Sequence, residues 1–246
     1  GAGEPNDGKD LAKEFKCKDN SICTGKYNVV TFAPKGLYEQ FRRVANLYFL
    51  SVAVISLFPT VSPIQPYTTW TPLTMVIGLS LAKEAVEDYK RHVQDRVQNT
   101  STTERFNGES FENCEWHDLK VGNIVRVVRD QFFPCDIVML DSSSDENACY
   151  VETKNLDGET NLKTKRSVDV ADLKFDRETF AKMSEGKTFI ECEHPNNSLY
   201  TYSGNLSIGA PLYPNGKKVS LNPSNMLLRG SSLRNTEWIV GVCVYT

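Results

Sequence analysis

The sequence lacks most of the patterns that mark a self-contained chemical site. Its three histidines, His92, His117 and His194, are scattered. The seven cysteines, at 17, 23, 114, 135, 149, 192 and 243, form no Cys-x-x-Cys pair and none stands at zinc-ligand spacing from a histidine, which excludes a zinc module. An odd count without paired spacing predicts reduced, buried thiols in a cytosolic setting, where the sequons at Asn99, Asn196 and Asn205 would be inert. No Gly-x-Ser-x-Gly occurs. Gly186-Lys187-Thr188 resembles the end of a phosphate loop, but Ala181 stands where that loop needs its first glycine. Positive charge is not in excess either: 28 Lys and Arg face 31 Asp and Glu, for a net charge of -3. A phosphate-backbone binder needs a basic surface, so nucleic acid is excluded as a partner. The polar, glycine-interrupted first 35 residues predict no cleavable signal peptide.

Charge itself is missing from one long block. From Val44 to Ala82 no Asp, Glu, Lys or Arg occurs, although 24% of the chain is charged. Prolines 59, 63, 66 and 72 divide the block into two apolar arms, and the natural reading is a helical hairpin in a membrane. The first arm, Leu37 to Phe58, reaches roughly 33 Å as a helix, enough to span. The second, from about Tyr67 to Ala82, is short unless Lys83 snorkels. Lys35, Arg42 and Arg43 flank the entry and Lys83, Lys90 and Arg91 the exit, so the positive-inside rule puts both ends in the cytosol. Beyond the second arm, Ala82, Ala85, Val86, Tyr89, Val93 and Val97 recur at spacings of three or four, which continues the helix as a stalk.

From about Thr102 the period becomes that of strands. Leu119 to Arg129, Ile137 to Leu140, Ala148 to Val151 and Trp238 to Tyr245 are rich in β-branched residues, with little helical periodicity between them. The fold class is therefore α+β: a two-helix transmembrane hairpin plus a mainly β domain of distorted jelly-roll or sandwich type. Residues 167–225, punctuated by Pro195, Pro211, Pro214 and Pro223, read as a loop-rich insertion with one helix, from Asp172 to Met183.

One segment carries chemistry. In Tyr150 to Lys163, Asp157-Gly158 is a turn signal, and Gly158 lets the backbone approach another surface closely. A carboxylate at a projecting tip, Glu159, can orient a water. Read alone, this tetrapeptide is also an ordinary surface turn.

Its surroundings resemble the P-type ATPases and, within them, the phospholipid-flipping class. The likeness is carried by Tyr27 to Gly36, Gln40 to Asn46, Tyr67 to Thr69, Lys83-Glu84 with Glu87-Asp88, Lys90 to His92, Val121-Gly122 with Ile124-Val125, Pro134 with Asp136, Tyr150 to Lys163, and Leu227 to Gly230 with Leu233 to Thr236, Trp238 and Val244 to Thr246. Glu152-Thr153 together with Asn155 to Lys163 is the specific run, since other P-type pumps usually carry Thr-Gly-Glu in place of Asp157-Gly158-Glu159. The resemblance implies a cytosolic N-terminal arm over 1–36, a membrane hairpin over 37–83, a stalk over 84–101 and a cytosolic actuator domain over 102–246. It assigns Glu159 to water activation at an aspartyl phosphate and Asp157, Gly158 and Thr160 to shaping and seating the loop against the phosphorylation domain of the same full-length chain. No Asp-Lys-Thr-Gly motif is present. ATP and Mg²⁺ are accordingly expected to bind elsewhere in the full-length protein and not to this fragment.

Partners implied by the resemblance are a phospholipid substrate, the bilayer and a small accessory membrane subunit, for which no contact residue is assigned. Ser56 and Leu57 are candidates for the substrate path. In flippases that select aminophospholipids a Gln pair commonly precedes an Ile-Pro at the end of the first membrane helix, whereas this chain has Ser56-Leu57-Phe58-Pro59, so headgroup preference does not carry over. Two other readings stand beside this one: a cation-transporting relative, and a membrane-anchored β binding module without catalysis.

Overall fold

The computed structural model describes residues 19–58, 62–170, 173–186 and 188–246. Pro59, Asp172, Lys187, Cys17 and the arm before residue 19 lie outside the described residues. Two compact units result, one over Ile22–Gln98 and one over Asn99–Thr246 together with 19–21.

The helical unit holds α1 (Val29–Phe41), α2 (Val44–Ile55) and α3 (Pro66–Asn99). Among the described residues, no helix is long and apolar enough to cross a membrane. The single 22-residue arm expected over 37–58 is instead two helices. Arg43 is extended (φ -76°, ψ 121°), and the Asn46 side chain donates to the Gln40 carbonyl at 2.9 Å, satisfying the acceptor that a continuing helix would have used. Pro34 and Pro72 lie inside helices, contrary to the expectation that proline marks their limits. Each falls within the first two turns, where it removes one interior hydrogen bond without splitting a long ladder.

α2 meets α3 through Ala53, Leu73 and Ile77, which are buried. The Ala53 carbonyl accepts from Trp70 Nε1 at 3.1 Å and from Ser56 Oγ at 2.7 Å. α3 runs 34 residues, about 51 Å, without interruption. On its outer half the amphipathic expectation is inverted. Val86, Tyr89, Val93 and Val97 are exposed, whereas Asp88 and Asp95 are buried. The reason is a strap formed by residues 24–27, which runs antiparallel to the helix and brings backbone donors to the acidic face. Asp95 accepts from the Thr24 and Gly25 amides at 2.7 and 3.2 Å, Asp88 from the Lys26 amide at 2.7 Å, and Glu84 from the Tyr27 hydroxyl at 2.5 Å. A Cβ on Gly25 would fall 2.3 Å from the His92 ring, so a larger residue there would have to displace that side chain. Burial acts to raise the Asp95 carboxyl, but the hydrogen bonds from Thr24 and Gly25 outweigh it and hold the group below its ordinary value.

The β unit is built on an antiparallel six-stranded sheet in the order β10-β4-β12-β3-β1-β2. Its members are β1 (Thr102–Phe106), β2 (Phe111–Glu115), β3 (Ile124–Val128), β4 (Asp136–Ser142), β10 (Met226–Leu227) and β12 (Trp238–Tyr245). A three-stranded sheet, β11-β5-β6, comprises β5 (Ala148–Glu152), β6 (Lys163–Arg166) and β11 (Ser232–Arg234). Between the two sheets lies a core of fully buried side chains that includes Leu119, Val125, Val127, Phe133, Ile137, Met139, Val151, Leu227, Leu233 and Ile239. The central strands alternate little because both of their faces are covered.

The insertion is more ordered than its prolines and asparagines suggest. It contains α5 (Arg177–Glu185), capped by the Asp176 side chain accepting from the Thr179 amide, and an antiparallel sheet of β7 (Thr188–Cys192), β8 (Gly204–Ile208) and β9 (Lys217–Leu221). Its Phe180, Met183, Leu206, Ile208 and Leu221 join a second core with Phe106, Ile124, Val138, Leu140 and Val240. Four cysteines, 114, 135, 149 and 243, are buried thiols, but Cys23 and Cys192 are exposed. Cys192 ends the edge strand β7, and Cys23 lies beside the strap.

Candidate functional site

The loop that carries Asp157 to Thr160 is a hairpin connection between two paired strands. β5 and β6 are antiparallel, with Val151 opposite Lys163, and the eleven residues from Glu152 to Leu162 must turn back within that span. They do so through one helical turn, α4 (Lys154–Asp157), and then Gly158 in the left-handed region at φ +77°. An L side chain there is strained even though no atom stands within 4 Å of its Cβ position, which accounts for glycine on conformational grounds alone.

Asp157 points inward. Its carboxylate accepts from Thr153 Oγ1 at 2.9 and 3.1 Å, from the Glu159 amide at 3.0 Å and from the Tyr200 hydroxyl at 3.3 Å, and it is ion-paired with Lys163. The Asp157 side chain retains 9% exposure. The Lys163 ammonium, followed by the Glu159 amide and the Thr153 hydroxyl, holds its carboxyl well below the usual carboxylate range, while burial opposes them. The Lys163 amine is correspondingly pushed up, first by Asp157 and then by Glu159.

Glu159 and Thr160 lie on the other side of the turn and are exposed. The Glu159 side chain is 55% accessible, and Oε2 lies 3.0 Å from Lys163 Nζ. The loop therefore presents one carboxylate to solvent while a second, two residues earlier, fixes the backbone beneath it. Such an arrangement can bring a base to a partner surface at low conformational cost. Among the described residues no group of three or more His, Cys, Asp or Glu is placed to hold a metal ion.

A family model described as "Phospholipid-translocating ATPase N-terminal" matches residues 4–70. "Probable phospholipid-transporting ATPase 7" of Arabidopsis thaliana is 47% identical over 238 residues, which is 96% of this chain and 18% of that protein. The chain belongs to the phospholipid-transporting ATPase family. "Phospholipid-transporting ATPase 6" of the same plant is 45% identical over 95% of this chain and 18% of its own length. "Phospholipid-transporting ATPase DRS2" of Saccharomyces cerevisiae is 43% identical over 94% of this chain and 17% of its own length. The chain thus spans under a fifth of the phospholipid-transporting ATPases it matches.

Within this family member the four loop residues named from sequence are contiguous in the β unit, and Ser56 and Leu57 belong to the helical unit. Ser56 is buried, with Oγ hydrogen-bonded to the Ala53 carbonyl and to Thr69 Oγ1 at 2.8 Å, while Leu57 is exposed. Sequence reasoning passed over three supports of the loop: Thr153, Lys163 and Tyr200. The first two were detectable, as a hydroxyl four residues before Asp157 and a cation six residues after it. Tyr200, 43 residues away in the insertion, left no local signal.

Proposed function

We propose that this chain is the N-terminal, actuator-bearing part of an ATP-driven phospholipid translocase that moves phospholipid from the exoplasmic to the cytosolic leaflet. The observation that carries the catalytic part of this reading is the outward Glu159 carboxylate on a loop pinned from within by Asp157.

The chemistry follows from that carboxylate. In the full-length protein Glu159 would take a proton from a water whose oxygen attacks the phosphorus of an aspartyl phosphate. The P–O bond to the aspartyl oxygen breaks, its electron pair returns to that carboxylate, and inorganic phosphate leaves. Gly158 and Thr160 would form the surface that seats against the phosphorylation domain, and Asp157 would set the turn that exposes Glu159. ATP and Mg²⁺ do not fit these residues. Gly186 follows helix α5, whereas a phosphate-binding glycine loop precedes its helix, and no metal-binding cluster is found among the described residues. Both would be held by other parts of the full-length protein.

The helical unit fits a membrane role for the charge-free block. Leu47, Phe49, Ile55, Met75 and Leu79 are exposed apolar side chains on α2 and α3, as expected of surfaces that meet lipid or further membrane helices. With basic residues only at the outer ends of the block, both ends would be cytosolic. Ser56 and Leu57 remain candidates near the lipid path, and an accessory membrane subunit is a further partner to be sought.

The full-length protein, purified and reconstituted in vesicles, is expected to transfer short-chain fluorescent phospholipid between leaflets when ATP is supplied. ATP-dependent movement of a cation without lipid transfer would refute this assignment in favour of the cation-pumping relative.

A further inference from the structure

Lys163 stands between two carboxylates with different roles. Its ammonium is paired with Asp157, whose carboxylate is inward and multiply hydrogen-bonded, and lies 3.0 Å from Glu159 Oε2 at the exposed tip. An isolated surface ion pair is worth little, because ordering two long side chains offsets the attraction. Here one of the two is already ordered. Asp157 fixes the ammonium, so the position of that charge is set before Glu159 meets it.

The insertion completes the arrangement. The Tyr200 ring covers the ammonium, with Lys163 Nζ 5.0 Å from the ring centroid, while its hydroxyl donates to Asp157 at 3.3 Å. Tyr200 is itself 62% exposed, so it is a cap on the pair and not part of a sealed core.

We propose that Lys163 is the positioning residue for Glu159, a fixed ammonium that ties the exposed tip of the loop to its half-buried anchor, with Tyr200 of the insertion as its cap. This inference rests on the reading of Glu159 as the base acting on the aspartyl phosphate. A bare carboxylate that approaches a phosphoryl dianion is repelled by it. An ammonium held beside that carboxylate offsets the repulsion and limits the directions in which the side chain can point.

The test is a double-mutant cycle in the full-length protein, with decay of the ATP-formed phosphoenzyme followed after a chase. Lys163→Met is expected to leave phosphoenzyme formation intact, to slow its decay about 10- to 100-fold, and to add nothing in a Glu159→Gln background, because it acts through Glu159. Lys163→Arg, which keeps the charge, is expected to restore most of the decay rate. If Lys163→Met decays at the wild-type rate while Glu159→Gln is slow, this inference fails and the assignment of Glu159 stands. Equal slowing in both backgrounds also overturns it, since Lys163 would then be a structural strut. Rapid decay of Glu159→Gln itself removes the underlying reading. Should Lys163→Met leave Asp157 too unbalanced to fold, Asp157→Asn with Lys163→Met removes both charges together. That double variant is expected to form phosphoenzyme and lose it slowly, and decay at the wild-type rate would overturn the proposal.

Discussion

Glu159→Gln in the full-length protein is expected to leave phosphorylation by ATP intact and to slow loss of the phosphoryl group by about 10²–10⁴. That loss corresponds to about 2.7–5.4 kcal/mol of transition-state stabilisation. The amide is isosteric with the carboxylate and the loop does not depend on it: the turn is set by Gly158 and by the hydrogen bonds to Asp157, none of which uses the Glu159 side chain. What disappears is an acceptor for the proton of the attacking water. Phosphoenzyme formed from ATP should therefore accumulate in the variant and persist through a chase. Decay of that phosphoenzyme at the wild-type rate would return Glu159 to the status of a surface turn residue.

The second large effect is structural. Phe133→Ala is expected to destabilise the β unit by about 3–5 kcal/mol, because it removes a fully buried ring. Phe133 lies in the connection from β3 to β4, and its backbone is held to the segment before β11 by hydrogen bonds with the Ser231 carbonyl, at 2.9 Å, and the Gly230 amide, at 3.3 Å. Its ring belongs to the core between the six-stranded sheet and the sheet that carries β5 and β6. Losing it should lower the melting midpoint by roughly 10 °C for a domain of this size, as read by calorimetry. A shift within a degree or two would mean that the gap refills and that this ring does not hold the loop-bearing sheet in place.

Much of the β unit was legible because its central strands are continuous apolar runs. Ile137 to Leu140 and Trp238 to Tyr245 are covered on both faces, Ala148 to Val151 is buried apart from Tyr150, and the three fall within strands β4, β12 and β5. β1 and β2 escaped notice for the opposite reason: Glu104, Arg105, Glu112 and Glu115 interrupt their apolar pattern and β2 is an edge strand, although Asn107-Gly108 between them is a hairpin signal and Gly108 has φ +107°. The insertion was misjudged by its prolines and asparagines, which bound the strands, while period-2 alternation in Gly204 to Ile208 placed every second residue in the core.

In the helical unit the spacing of Ala82 to Val97 continued the helix as a stalk, and the strap packs on its acidic face. Backbone amides from residues 24–26 make carboxylates the better partners for that helix face, a contact no periodicity analysis includes. The break at Arg43 depends likewise on Asn46 reaching back to Gln40. At the loop, the turn at Asp157-Gly158 was legible from residue types. The division of labour between the two carboxylates was not, because it depends on Thr153, Lys163 and Tyr200 converging on one of them.

That division is the central claim, and chemical rescue tests it most directly. In full-length Glu159→Ala, added formate should restore decay of the phosphoenzyme in proportion to its concentration, because a small carboxylate can occupy the space vacated at the loop tip and accept the proton. The account predicts no such rescue for Asp157→Ala, whose missing carboxylate holds the turn from within. Formate that restores Asp157→Ala and leaves Glu159→Ala unchanged would contradict it.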